Sequence, residues 1–426
     1  MVKNLPKRTR HFNPLSALGP GLITGAADDD PSGIATYSQA GAQFGLQMLW
    51  TCVLTYPFMS VFQSVCGRIG RVTGKGLASN IKSVFPRWVV LSVVLLLLIA
   101  NTLNVSADVA AMGEAGALLI PGQAHLLTIG FAVFTLALQI FVPYHRYVFF
   151  LKWLTLSLFA YVAVAFIVNA PWPTLLLNTV WPRFHFDKDA ATLVTAVFGT
   201  TISPYLFFWQ ASEEVEEIEG DKGAQPLKEA PLEAREELKR IGWDTYIGMG
   251  YSNIIAYFVI LTTAVTLNAH GITNIQTAAQ AATALKPVAG AYASLLFALG
   301  IIGTGLLAIP TLAGSAAYAL SEAMGWPEGL ERKLGDARGF YAVIGIATVG
   351  GVVLSYSPLD PIKALFLSAV VNGVIAVPLM AVIMLLATRK SLMGVFVATR
   401  WQRWGGWAAT AIMGAMVIAM FALMAM

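Results

Sequence analysis

Asp28, Asp29 and Asp30 stand in a row inside an apolar stretch and are followed at once by Pro31, Ser32 and Gly33. An aspartate at mid-bilayer costs about 2.5–3.5 kcal/mol, so three facing lipid would cost about 8–10 kcal/mol. Such residues persist only against protein, water or a bound cation. Pro31 lacks a backbone donor and Gly33 loosens the chain, so a helix is expected to break here. A broken helix at membrane depth frees carbonyl oxygens that can hold ions. Carboxylates beside freed carbonyls suit a cation. At 100° per residue the three aspartates point in different directions, so they cannot all ligate one bare ion from a regular helix.

A second interruption lies in the run Gly199, Thr200, Thr201, Ile202, Ser203, Pro204 and Tyr205. Alone it reads as a proline kink. Five spans after the aspartate break, it reads as the other half of a pair, with a site where the two broken helices meet.

The elements that must position these residues follow from composition and hydropathy. Hydrophobic residues make up 57% of the chain and charged residues 12%, about half the charge of a soluble domain. Long apolar runs recur at lengths that cross a bilayer of about 30 Å. The expected spans, about eleven, lie near 14–44 (interrupted), 46–66, 89–119, 124–143, 147–169, 190–216 (interrupted), 244–268, 289–320, 339–356, 361–387 and 405–425. This predicts an all-α membrane protein with one transmembrane domain over 1–426, of the LeuT type: a 5+5 inverted repeat with helices 1 and 6 broken. The repeats would be 14–169 and 190–387, with 405–425 as an additional helix. No residue-level repeat joins the halves, so the repeat rests on topology.

Basic residues mark one side. They include Lys3, Lys7, Arg8 and Arg10, the loop with Arg68, Arg71, Lys75, Lys82 and Arg87, and His145, Arg146 and Lys152. Lys228, Arg235, Lys239 and Arg240 follow, then Arg389, Lys390, Arg400 and Arg403. The positive-inside rule puts that side in the cytoplasm, with the N-terminus in and the C-terminus out, in a bacterial-type inner or plasma membrane. The N-terminus has no signal-peptide pattern, so the first span is expected to be retained. The net charge of +4, without a basic patch of interleaved aromatics, gives no reason to expect nucleic acid. Cys52 and Cys66 lie about 21 Å apart along one helix and cannot bridge. The polar linker at 213–243 is acidic. Gln210, Glu213, Glu214 and Glu217 share one helix face, which could continue a polar path as an acidic vestibule. Asp108, in span three, and Asn372, a lone amide in span ten, are further candidates for the cavity. A buried hydrogen bond explains each equally well.

The residues also resemble a family. Gly19-Pro20-Gly21, Ala27-Asp28-Asp29-Asp30-Pro31-Ser32-Gly33 and Gln39-Ala40-Gly41-Ala42 look like the first helix of the Nramp divalent-metal transporters, whose hallmark is Asp-Pro-Gly-Asn. Gly67 to Lys75, Asp108-Val109-Ala110 and Arg240 to Thr245 resemble parts of their second, third and seventh helices. The resemblance implies metal contacts at Asp30, at the carbonyls of Ala27 and Thr200, and at the positions of Gly33, Ser203 and Tyr205. The departures are coherent. The family's asparagine is Gly33, and its Met-Pro-His is Ser203-Pro204-Tyr205. Sulfur suits transition metals, whereas hydroxyl, carbonyl and carboxylate suit hard cations such as magnesium, which sheds water reluctantly. The glutamate that proton-coupled members carry on the third helix is Ala111, and their sixth-helix histidines are Tyr205 and Gln210. None of these titrates near neutral pH as histidine does.

The chain is thus most similar to the Nramp-related magnesium transporters. The resemblance implies a carrier, not an enzyme. It would move partly hydrated magnesium, and also manganese, by alternating access, without protons, as a monomer and with no cofactor. Asp28 and Asp29 would hold water or line the path. The alternatives are a proton-coupled manganese or iron importer, and an organic-solute transporter of the same architecture. The three aspartates repel an anionic substrate group and disfavour the latter. A metalloprotease is excluded because no His-Glu-x-x-His motif exists among five histidines.

Overall fold

The computed structural model describes residues 20–426, apart from 144, 145, 147–150, 152, 169–171, 183, 184, 222, 331, 358 and 359. Among the described residues the regular structure is helical. The longer helices are α1 (Pro20–Asp28), α2 (Pro31–Phe44), α3 (Trp50–Thr73), α4 (Leu77–Val84), α5 (Arg87–Ala117) and α6 (Ala124–Phe141). They continue as α7 (Phe159–Ile167), α8 (Trp172–Val180), α9 (Lys188–Thr201), α10 (Pro204–Gly220) and α11 (Ala234–Thr266). The last four are α12 (Ala293–Met324), α13 (Arg338–Ser355), α14 (Pro361–Thr388) and α15 (Arg400–Ala425).

Seven helical stretches among the described residues are long and apolar enough to cross a membrane. The broken pair α1–α2, then α3, the Leu154–Ile167 stretch and α13 supply the shorter or more polar spans. α2 and α3 turn by 111° about Leu49 and run as separate arms. Burial sorts the bundle. The central apolar window of α9–α10 is 94% buried, against 22% for α6 and for α15, so the second broken helix runs through the middle and α6 and α15 face outward.

Both breaks end on the same device. Asp30 caps α2 and Ser203 precedes α10, and each is followed by a proline at the first helical turn, where the missing donor costs nothing. Glycine then seats each broken helix on its support. A Cβ at Gly25 would lie 2.1 Å from the Gly248 carbonyl oxygen of α11, and one at Gly199 would lie 2.1 Å from the Ala369 carbonyl oxygen of α14. Only a residue without Cβ permits that approach. α5 packs along α12, α13 and α14 and flanks the breaks.

Several expected boundaries shift. α3 continues past 66 to Thr73, and α11 begins at Ala234 rather than near 244. The expected linker 213–243 is therefore largely helical, because its Glu, Lys and Ala residues are good helix formers. α4 and α8 are additional helices in connecting segments. Residues 14–19 of the first expected span, and part of 147–169, lie outside the described residues.

Candidate metal-ion site

Asp30 accepts hydrogen bonds on both of its carboxylate oxygens. Its backbone is extended, with φ −67° and ψ 169°. The Gly33 amide and the Ser32 hydroxyl donate to its Oδ1, both at 2.7 Å, and the Asn104 Nδ2 donates to its Oδ2 at 3.1 Å. The side chain is buried. Three donors, at the N-terminus of α2, hold both oxygens of the carboxylate in place. Asn104 is held in turn by Ser368 of α14, whose hydroxyl donates to its Oδ1 at 2.7 Å. The chain Asp30–Asn104–Ser368 thus ties the first break to α5 and α14.

One turn beyond Asn104 on α5 lies Asp108, and one turn beyond Ser368 on α14 lies Asn372. Both are buried. Neither carboxylate oxygen of Asp108 and neither amide atom of Asn372 has a hydrogen-bond partner. Buried polar atoms without partners are costly, and they mark a place where water or an ion is expected.

Asp28 and Asp29 go elsewhere. The Ser252 hydroxyl of α11 lies 2.7 Å from Asp28 Oδ2 and 3.1 Å from Asp29 Oδ1. A hydroxyl has one proton, so it serves one carboxylate at a time. Asp28 Oδ1 and Asp29 Oδ2 have no partner. The acidic triplet is therefore divided, with Asp30 bonded to α5 and its two neighbours to α11.

The second break brings neutral oxygen. Ser203 makes no forward cap to α10. Its hydroxyl turns back to the Gly199 carbonyl at 3.2 Å and to the Thr200 carbonyl at 2.5 Å. The Tyr205 hydroxyl crosses to the first break and donates to the Ala27 carbonyl at 3.0 Å. Thr200 Oγ1 lies 3.4 Å from the Ser32 hydroxyl, and Tyr37 and Thr201 pair through their hydroxyls at 3.0 Å. Gly33 is in close contact here: a Cβ on it would lie 3.3 Å from Thr200 Oγ1 and from the Tyr37 ring. The structure thus gathers Ala27, Asp30, Gly33, Thr200, Ser203 and Tyr205 around the two breaks. The Ala27 and Thr200 carbonyls each accept one bond and retain a second lone pair.

The proposed polar path along α10 is closed. Gln210 accepts from Thr24 at 3.0 Å. Arg240 of α11 binds Glu214 at 2.6 Å, Glu217 at 2.7 Å and Glu237 at 3.0 Å, and Arg71 of α3 binds Glu237 at 3.1 Å. In this conformation Arg71 and Arg240 tie across the face expected to form an acidic vestibule and join α3, α10 and α11. Glu213, on the same helix, is half-buried. At the opposite end a cavity of about 650 Å³ reaches in past Gln39, Gln43, Asp189 and Thr192 to Ala35 of α2. The residues at the two breaks are buried and do not line that cavity.

Among the described residues, no three His, Cys, Asp or Glu side chains converge as a metal cluster. Cys52 and Cys66 are free and buried. The donor set at the breaks is one fixed carboxylate with hydroxyl and carbonyl oxygens. Sequence reading missed Asn104, Ser252 and Ser368. The signal for the first was present, since Asn101, Asn104 and Asp108 recur at helical spacing within an apolar run.

A bundle with two broken helices meeting at a buried polar site, tied across by arginines at one end, defines a membrane transporter. The chain belongs to the natural resistance-associated macrophage protein-like family, Nramp, whose family model matches residues 21–423. It is 27% identical over 430 residues to the divalent metal cation transporter MntH of Acidiphilium cryptum, covering 98% of this chain and 92% of that one. A mutant of the manganese transporter from Eremococcus coleocola superposes with a TM-score of 0.75 at 17% identity, covering 97% of this chain and 88% of that one. A closed form of the nucleobase-cation-symport-1 family transporter Mhp1 superposes with a TM-score of 0.60 at 13% identity, over 96% and 90% of the two chains. The fold is the broken-helix, LeuT-type fold expected from the sequence.

Proposed function

We propose that the chain is a secondary transporter of divalent metal ions that carries magnesium, and also manganese, partly hydrated and without proton coupling. Membership of Nramp and likeness to proteins named divalent metal cation transporters support metal transport. The single observation that carries the magnesium reading is the donor set: Asp30 with Thr200, Ser203 and backbone oxygens, with no methionine or histidine within 27–33 or 199–205. Hard oxygen donors match a hard cation. Unpartnered atoms of Asp108 and Asn372 beside the Asp30–Asn104–Ser368 chain suit a water shell that magnesium keeps. On this reading Asp30, Ala27, Gly33, Thr200, Ser203 and Tyr205 surround the ion. Asp28, Asp29, Asp108 and Asn372 hold water, and Gln210, Glu213 and Glu217 line the exit once the arginine ties open. The repeats 14–169 and 190–387 rock to alternate access. The basic loops support, by the positive-inside rule, an N-terminus in the cytoplasm and a C-terminus outside a bacterial plasma membrane, with one copy sufficing for the path.

Asp108 favours a second reading. A buried carboxylate without a partner can carry a proton, as a proton-coupled manganese or iron importer requires. Magnesium flux into sealed proteoliposomes, with internal magnesium and pH dyes, separates the two. Magnesium entry without acidification is expected. Manganese entry with acidification and no magnesium entry would sink the proposal.

A further inference from the structure

The start of α15 carries a feature that transport does not use. Arg400, Arg403, Trp404 and Trp407 recur at i, i+3, i+4 and i+7, which places them on one face, and together they line a cavity of about 500 Å³. The other face is docked. Gln402 donates to Ser64 Oγ of α3 at 3.0 Å, and a Cβ at Gly406 would lie 2.3 Å from the Met384 sulfur of α14. The Arg–Trp face therefore points away from the bundle. Trp404 is 77% exposed. No acidic side chain among the described residues pairs with Arg400 or Arg403.

We propose that this face is a binding site for an anionic phospholipid of the leaflet at the basic end. The depth fits. From Ala408 to Ala425 the helix has no charged residue, and at 1.5 Å per residue that length is about 27 Å, close to the hydrocarbon thickness. Arg400 to Trp407 then sit at headgroup level, where indoles concentrate. A guanidinium fork matches phosphate geometry and is less tightly hydrated than an ammonium. Thr399 and Gln402 cap the helix reciprocally, and the N-terminal dipole adds attraction for an anion. Arg389 and Lys390 close the preceding helix and add to the basic cluster. Below the indoles, exposed Ala411, Ala415 and Ile418 continue the same stripe, a track for an acyl chain. That continuity selects a lipid over a free phosphate. The inference depends on the membrane placement of α15 and is independent of which ion is carried.

Native mass spectrometry of the full-length protein titrated with phosphatidylglycerol, with phosphatidylcholine of the same chains, and with free glycerol 3-phosphate tests it. Near an anionic surface each arginine is worth a factor of about five. The Arg400→Gln/Arg403→Gln protein should bind phosphatidylglycerol about 25-fold more weakly and phosphatidylcholine equally well. The Arg400→Lys/Arg403→Lys protein should recover most of the loss, which guards against a folding defect. Equal phosphatidylglycerol affinity in the glutamine variant overturns the site. Wild-type protein binding glycerol 3-phosphate as tightly as the lipid overturns the lipid assignment.

Discussion

After Asp28 the chain leaves α1, spends two residues outside a helix and re-enters one at Pro31; after Thr201 it leaves α9 and does the same at Pro204. The side chains at the two turns behave oppositely. The Asp30 carboxylate reaches forward to cap α2 and is gripped by Ser32, Gly33 and Asn104. The Ser203 hydroxyl reaches backward into the carbonyls of Gly199 and Thr200 and leaves α10 without a side-chain cap. One break fixes a charge, and the other arranges neutral oxygens and sends Tyr205 and Thr200 across to meet it. The same backbone device has therefore been given two tasks. Affinity for a cation should rest on the first break, and preference among cations on the second.

The largest expected effect is at Asp30. Asparagine caps a helix about as well as aspartate, so Asp30→Asn preserves the start of α2 and removes only the charge. Magnesium uptake in proteoliposomes should fall about 100-fold, equivalent to about 2.7 kcal/mol for one charge-assisted interaction, with a melting midpoint close to wild type. Wild-type uptake in a folded Asp30→Asn protein would reverse the assignment of tasks. Asp30→Ala is a poorer test because it also removes the cap, worth about 1 kcal/mol.

A smaller change is expected at the second break. Ser203→Met introduces a thioether beside the carbonyls of the break, and soft sulfur favours manganese. The manganese-to-magnesium uptake ratio should rise about tenfold, about 1.4 kcal/mol. An unchanged ratio would show that selectivity is not set there. Adding Gly33→Asn is a weaker continuation, because a Cβ at Gly33 already lies 3.3 Å from Thr200 Oγ1 and would push the two breaks apart.

The two breaks were legible because Asp-Pro and Ser-Pro inside apolar runs violate what a span tolerates, and the positions of most spans followed from hydropathy alone. What escaped was the pairing that gives each break its character. Asn104 reaches Asp30 across 74 residues and Ser368 reaches Asn104 across 264, and a single sequence contains no signal for contacts at such separation. The aspartate triplet was readable as divergent, but the choice of Ser252 as partner for Asp28 and Asp29 depends on how α11 packs. The acidic face of α10 was readable from its spacing, but its partner was not: Arg240, more than twenty residues away, bridges Glu214 and Glu217.

The finest test of the comparison is a matched pair of hydroxyl deletions. Ser32 donates to Asp30 at 2.7 Å and lies 3.4 Å from Thr200 Oγ1. Ser32→Ala therefore strips one donor from the ion-facing carboxylate, and the apparent KM for magnesium should rise about fivefold, about 1 kcal/mol. Ser203→Ala removes a hydroxyl that in this conformation bonds to its own helix end, and it frees the Gly199 and Thr200 carbonyls. Its KM should change less than about twofold, because the lost oxygen donor is replaced by freed carbonyls of the same hardness. If Ser203→Ala were instead the more damaging change, the Ser203 hydroxyl would be carrying affinity as well as preference, and the division into a charged break and a supporting one would fail.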